Sequence, residues 1–98
     1  MGSARPRPRR LAEKLLQIRQ SFELSQSQMV KQLGVADLIH YNNISKYELD
    51  KNEPPLMILL AYAKVARVHL EEIVDDDIDL PRKLPGTFDC YARLSQEE

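Results

Sequence analysis

The sequence predicts an all-α fold, a compact bundle of five short helices between about residues 9 and 74 with a C-terminal tail behind it. Three observations carry that expectation. Apolar residues recur at steps of three and four, the spacing of a helix face rather than a strand. Ser25, Gly34 and the pair Pro54-Pro55 stand where helices should start or stop. No alternating apolar–polar run extends beyond a few residues, and no internal repeat is present.

Residues 1–8 are expected to form a flexible basic arm, because Pro6 and Pro8 exclude helix there. Leu11, Leu15, Ile18 and Phe22 then recur at steps of four, three and four, one face of an amphipathic helix over roughly 9–22. Ser25 and Gln28 match the capping box, in which serine and glutamine side chains satisfy free backbone donors reciprocally. Met29, Val30 and Leu33 give this second helix its apolar face, and Gly34 is placed to end it in a left-handed turn. A third helix carries Ile44, Tyr47 and Glu48 and ends near Leu49-Asp50.

Pro54-Pro55 favours a new helix start immediately afterwards. Leu56, Leu59, Leu60, Ala63, Val65 and Ala66 make this fourth helix strongly apolar, as a central core helix should be. A short fifth helix over His69–Val74 turns Leu70 and Ile73 inward. Beyond Asp75, Pro81, Pro85 and Gly86 interrupt the pattern. The division expected is therefore a basic arm 1–8, a folded domain 9–75 and a tail 76–98. Ile78, Leu80, Leu84, Phe88, Tyr91 and Leu94 make that tail more apolar than a disordered end needs, so it is expected to pack on the core or on a second subunit.

Composition narrows the function. Ninety-eight residues suit one domain with a modest core. A single cysteine, Cys90, excludes an intramolecular disulfide framework. Cys90, His40 and His69 do not stand at metal-ligand spacing, and no metal or other cofactor is expected. No run approaches the roughly 18 apolar residues of a membrane span, nor is there a secretory signal, so no membrane association and a cytoplasmic, nucleoid-associated setting are expected. Catalysis is not expected, because no nucleophile–base pair, glycine loop or acid pair stands at workable spacing.

Charge is divided unevenly along the chain, with +3 on residues 1–50 and −4 on residues 51–98. A polyanion would meet the first half. Arg5, Arg7, Arg9 and Arg10 crowd the arm, and Arg9 and Arg10, nearest the folded part, are candidates for phosphate contact. The alternative for the arm is a solvated tail. Glu71, Glu72, Asp75, Asp76, Asp77 and Asp79 form an acidic run that reads as a solvated face or as a surface that repels DNA.

A capped short helix, a Gly-Val stop, a turn and a polar helix with an inward isoleucine follow one another in a fixed order. Leu24-Ser25-Gln26, Met29-Val30, Leu33-Gly34-Val35, then Ile44-Ser45-Lys46-Tyr47-Glu48 and Pro54 make up the set, closed by Leu56, Leu59-Leu60, Ala63-Lys64, Val68, Leu70 and Glu72-Ile73. From Leu11 to Val74 this resembles the phage repressor/Cro-type (XRE-like) helix-turn-helix DNA-binding family. In such a pair the first helix crosses the DNA backbone and the second lays its N-terminal side chains in the major groove.

The resemblance implies double-stranded DNA as partner, bound through Tyr41, Asn42, Asn43, Ser45 and Lys46 at bases. It implies Gln26 at a phosphate and places Lys51 beside the backbone. It also implies a partly buried ion pair between Arg19 and Glu48. A homodimer on a palindromic operator is expected, since one such domain covers a single half-site. Three departures accompany the match. Eight residues, Ala36 to Asn43, separate Val35 from Ile44, where the family has about four. Either the turn is lengthened, or the recognition helix begins one turn earlier, capped by Asp37. The lengthened turn is preferred, because Leu38 and Ile39 fall off the Ile44/Tyr47 stripe. Val30 replaces a small alanine, and with no glycine after the third helix, Asp50 or Asn52 must take the left-handed turn.

Plainer roles stand beside these. Asn42 and Asn43 also suit helix capping, Gln26 suits the helix terminus, and Lys46, Arg19 and Glu48 suit a solvated surface. Tyr47 reads as core, while Tyr41 is open between core and DNA. The competing function is a protein-interaction module, such as an antitoxin or a coactivator subunit, whose protein partner docks on the C-terminal tail.

Overall fold

The structure, a computed structural model, describes residues 8–87. Five helices follow in order: α1 (Leu11–Ser21), α2 (Gln26–Leu33), α3 (Tyr41–Glu48), α4 (Leu56–Ala66) and α5 (Leu70–Val74). A further turn of helix runs over 85–87, and no strand occurs among the described residues. Arg5, Arg7, Phe88, Cys90, Tyr91 and Leu94 lie outside the described residues.

The capping box at Ser25 forms as the sequence requires. The Ser25 hydroxyl accepts from the Gln28 amide at 3.1 Å, while the Gln28 side chain accepts from the Ser25 amide at 2.8 Å. Gly34 ends α2 at φ 73, a left-handed conformation that glycine adopts without penalty. Asp50 takes the corresponding turn after α3, at φ 60. Between α2 and α3 the connection is the lengthened turn. The amides of Leu38 and Ile39 both donate to the Val35 carbonyl, at 2.8 and 3.0 Å, and helix resumes only at Tyr41. Val35 is buried and Ile39 packs against the core, which leaves Leu38 69% exposed.

One core joins all five helices. Leu11, Leu15 and Ile18 of α1 meet Met29, Val30 and Leu33 of α2, Ile44 and Tyr47 of α3, and Ile73 of α5. α4 contributes Ile58, Leu59, Tyr62, Ala63 and Ala66. Here the structure corrects the expected face. Leu56 and its neighbour Met57 are 66% and 65% exposed, Leu60 and Val65 are half-buried, and Ile58 and Tyr62 take the inward positions. An almost uniformly apolar helix has no periodicity to mark its inner face, so its packing against α1, α2 and α5 chooses it.

The core does not stop at residue 75. Leu80 and Leu84 are buried in it, and Gly86 approaches α4 so closely that a β-carbon there would collide with the Val65 carbonyl and the Ala66 backbone. Lys14, the one buried charged residue among those described, fastens this return segment. Its ammonium donates to the carbonyls of Glu72, Asp75 and Ile78 at 3.0, 2.6 and 2.6 Å. All three N–H donors of the ammonium are thereby satisfied. Two of the three carbonyls belong to the α5 C-terminal region, where a positive charge also opposes the helix dipole favourably.

Candidate nucleic-acid interface

α3 is oriented by its two buried residues. Ile44 and Tyr47, three apart, point into the core, so the opposite side of the same helix must face outward. Tyr41, Asn42 and Lys46 are exposed there, and Asn43 and Ser45 are half-exposed. Tyr41 lies one turn from Ser45, and Asn42 one turn from Lys46, which sets two columns side by side on one outward surface. Lys51 follows just beyond the helix, exposed, with its amide on the Lys46 carbonyl at 2.9 Å.

The first turn of α3 has a second duty. His40 is its N-cap: Nδ1 accepts from the Asn42 amide at 3.5 Å, a long bond, and the His40 amide donates to Asn43 Oδ1 at 2.9 Å. Asn43 therefore commits one lone pair of Oδ1 to the cap, which leaves its side-chain N–H groups for a ligand. The Tyr41 ring leans on the imidazole, with centroids 4.3 Å apart. The capping role of His40 is not among the expectations from sequence, which exclude it only as a metal ligand. The signal for its cap is the Asn43 three positions later, the capping-box spacing.

Behind this surface, one carboxylate ties three helices together. Arg19 of α1 grips Glu48 of α3 with two parallel bonds, Nε to Oε2 at 2.7 Å and Nη2 to Oε1 at 3.0 Å. The remaining Arg19 nitrogen Nη1 donates to the Leu24 carbonyl at 2.9 Å. Glu48 is nearly buried and Arg19 mostly so. The Glu48 carboxylate holds the Arg19 guanidinium above its ordinary pKa, against the opposing effect of burial. Removing either partner of such a pair costs roughly 3–5 kcal/mol, chiefly through the charge left behind. Gln26, the first residue of α2, joins the cluster by donating its side-chain amide to Glu48 Oε1 at 3.2 Å.

Arg9 and Arg10 are placed differently. Arg10 Nη2 meets Asp79 at 2.6 Å, Nη1 donates to the Asp76 carbonyl at 2.9 Å, and Nε reaches Glu13 at 3.2 Å. The Asp79 contact, reinforced by Glu13, raises the Arg10 pKa. Asp76 in turn accepts the backbone amides of Arg9 and Arg10, both at 2.9 Å, and those two bonds hold its carboxyl below the usual range. Part of the acidic run thus serves as an external cap for α1, whose own N-cap residue, Arg10, supplies no side-chain acceptor. Sequence spacing carried no sign of this, since Arg10 and Asp76 are 66 positions apart.

No helix among the described residues is long and apolar enough to cross a membrane. A family model described as helix-turn-helix matches residues 15–73. No curated protein and no solved structure matches the chain.

Proposed function

The chain belongs to that helix-turn-helix family, the XRE-like group of DNA-binding transcription regulators, and from this premise we propose that it reads a palindromic operator in duplex DNA as a homodimer. The observation that carries the reading is the outward face of α3. Its columns Tyr41/Ser45 and Asn42/Lys46 stand on a helix whose orientation is fixed by Ile44, Tyr47 and Glu48. Asn42 offers the bidentate pattern suited to adenine, and Lys46 suits guanine acceptors. Asn43 adds its free N–H groups, Gln26 takes a phosphate at the start of α2, and Lys51 takes another beyond α3. Arg10 is left out, because Asp79, Glu13 and the Asp76 carbonyl already occupy its guanidinium, whereas Arg9, with its side chain 89% exposed, remains a candidate for a phosphate. Self-association is assigned to the exposed apolar pair Leu56-Met57 at the start of α4.

The test is selection from a randomised duplex pool at two salt concentrations, with sedimentation of the protein alone and on the selected duplex. A palindromic consensus, two chains per duplex and loss of the consensus in Lys46→Ala support the proposal. No enrichment, with binding that vanishes at moderate salt, would mean non-specific attraction only and would move the function to a protein partner.

A further inference from the structure

We propose that Glu48 is a positioning residue for the phosphate contact of Gln26: its Oε1, shared by Arg19 and Gln26, aims the free N–H of the Gln26 amide at the DNA backbone. The inference rests on the assignment of Gln26 as a phosphate ligand made above. A glutamine amide has two N–H donors, and the bond to Glu48 uses one. A half-exposed glutamine at a helix start otherwise samples several rotamers, and fixing one removes an entropic penalty at the moment of binding. Glu48 is itself held from the other side by two bonds to Arg19, so the carboxylate is a rigid post.

The backbone around Gln26 is arranged to the same end. The Ser25–Gln28 box takes the Ser25 and Gln28 amides, and the Met29 amide bonds the Ser25 carbonyl at 2.8 Å. The Gln26 and Ser27 amides, first in the helix, have no intrahelical acceptor and remain for a phosphate oxygen beside the side chain. A single carboxylate therefore couples the packing of α1 against α3 to the backbone grip of α2.

The proposal makes a prediction whose sign is opposite to simple electrostatics. Removing a carboxylate beside a polyanion site should tighten DNA binding, whereas removing a post should weaken it. Fluorescence anisotropy with the selected duplex would compare wild type, Gln26→Ala, Glu48→Gln, Glu48→Asp and the double variant Gln26→Ala/Glu48→Gln. Circular dichroism at the assay temperature confirms that each is folded. Glu48→Asp keeps the negative charge beside Arg19 but draws the shared carboxylate back by one methylene from Gln26 and Arg19 alike, so it tests the positioning without leaving a buried guanidinium unpaired.

Gln26→Ala is expected to bind about tenfold more weakly, the worth of one charge-assisted hydrogen bond, and the Glu48 variants to lose up to that much, because they release the Gln26 side chain rather than delete it. The double variant should lose no more than about tenfold, because both changes act on one contact. Binding by Glu48→Gln and Glu48→Asp as tight as wild type or tighter would overturn the inference, as would losses that multiply to about a hundredfold. Wild-type binding by Gln26→Ala would overturn the phosphate assignment itself, a separate failure read from a separate variant.

Discussion

Replacing Lys14 with methionine tests the least anticipated feature of the fold. Methionine matches the lysine stem in length and removes only the ammonium. The carbonyls of Glu72, Asp75 and Ile78 then lose a donor held at 2.6–3.0 Å. Two effects oppose each other. Burying an ammonium costs several kcal/mol, which the variant avoids, and a buried methionine adds apolar contact. Against this, every orphaned carbonyl costs about 1–3 kcal/mol unless water replaces the donor. Lys14 is only 1% exposed, so water reaches the site only if the 72–78 segment moves away from α1.

Three carbonyls at the middle of that range cost about 6 kcal/mol, and about 3 kcal/mol of avoided ammonium desolvation set against this leaves a net loss of about 3 kcal/mol. A domain of this size has roughly 5–15 kcal/mol in total, so the effect is large. Thermal denaturation followed by circular dichroism should show a Tm lower by about 12 °C or more. DNA binding well below that Tm should stay at the wild-type level, because the Arg19–Glu48–Gln26 cluster lies toward the other end of α1. A Tm within about 2 °C of wild type would refute the reasoning. It would mean that the ammonium's desolvation cancels its three bonds.

Three further changes probe other links. Leu84→Ala should cost about 2–5 kcal/mol, read from urea unfolding, if the segment beyond residue 75 belongs to the core; a loss under about 0.5 kcal/mol would show that it does not. Tyr62 buries a hydroxyl that has no hydrogen-bond partner among the described residues, and burial, with the Glu48 charge beside it, pushes its pKa well above the usual tyrosine value. Tyr62→Phe should therefore raise Tm by about 4–8 °C, the equivalent of roughly 1 kcal/mol. Because the folded phenol resists ionisation, wild type should also lose stability as pH rises above about 10, and the phenylalanine variant should lose less; an unchanged or lower Tm would argue that the hydroxyl is satisfied. Asp76 is held below its ordinary pKa by the amides of Arg9 and Arg10. Its stabilisation is present above the unfolded value of about 3.9 and is lost as pH falls through the folded one. Asp76→Asn should flatten the fall of Tm below about pH 4, and parallel Tm–pH curves would count against the cap.

Local chemistry settled much of this protein before any packing was considered. The Ser25–Gln28 box, the left-handed Gly34, the helix start after Pro55 and the Ile44/Tyr47 stripe each depend on residues within a few positions of one another. Such features form from backbone geometry and a single side chain, so a linear reading reaches them. The lengthened turn belongs here too: Leu38 and Ile39 broke the apolar stripe of α3, and the chain resolves that conflict by delaying the helix to Tyr41. The outward face of α3, proposed above to meet DNA, followed from the same stripe, because two inward residues determine which others face out.

Tertiary structure decided whatever required partners far apart in sequence. α4 is apolar nearly all round, and only its neighbours choose Ile58 and Tyr62 over Leu56 and Met57. Lys14 looks like any surface lysine until three carbonyls from residues 72–78 converge on it. Arg10 looks like a phosphate ligand until the 76–79 segment folds back against it. Leu80 and Leu84 are apolar enough in sequence to call for packing, but only the fold places them in this core rather than against a second subunit. The physical reason is common to all four. A periodic pattern records which residues avoid water, whereas the identity of the group that satisfies a buried charge or fills a gap is fixed only when the helices meet.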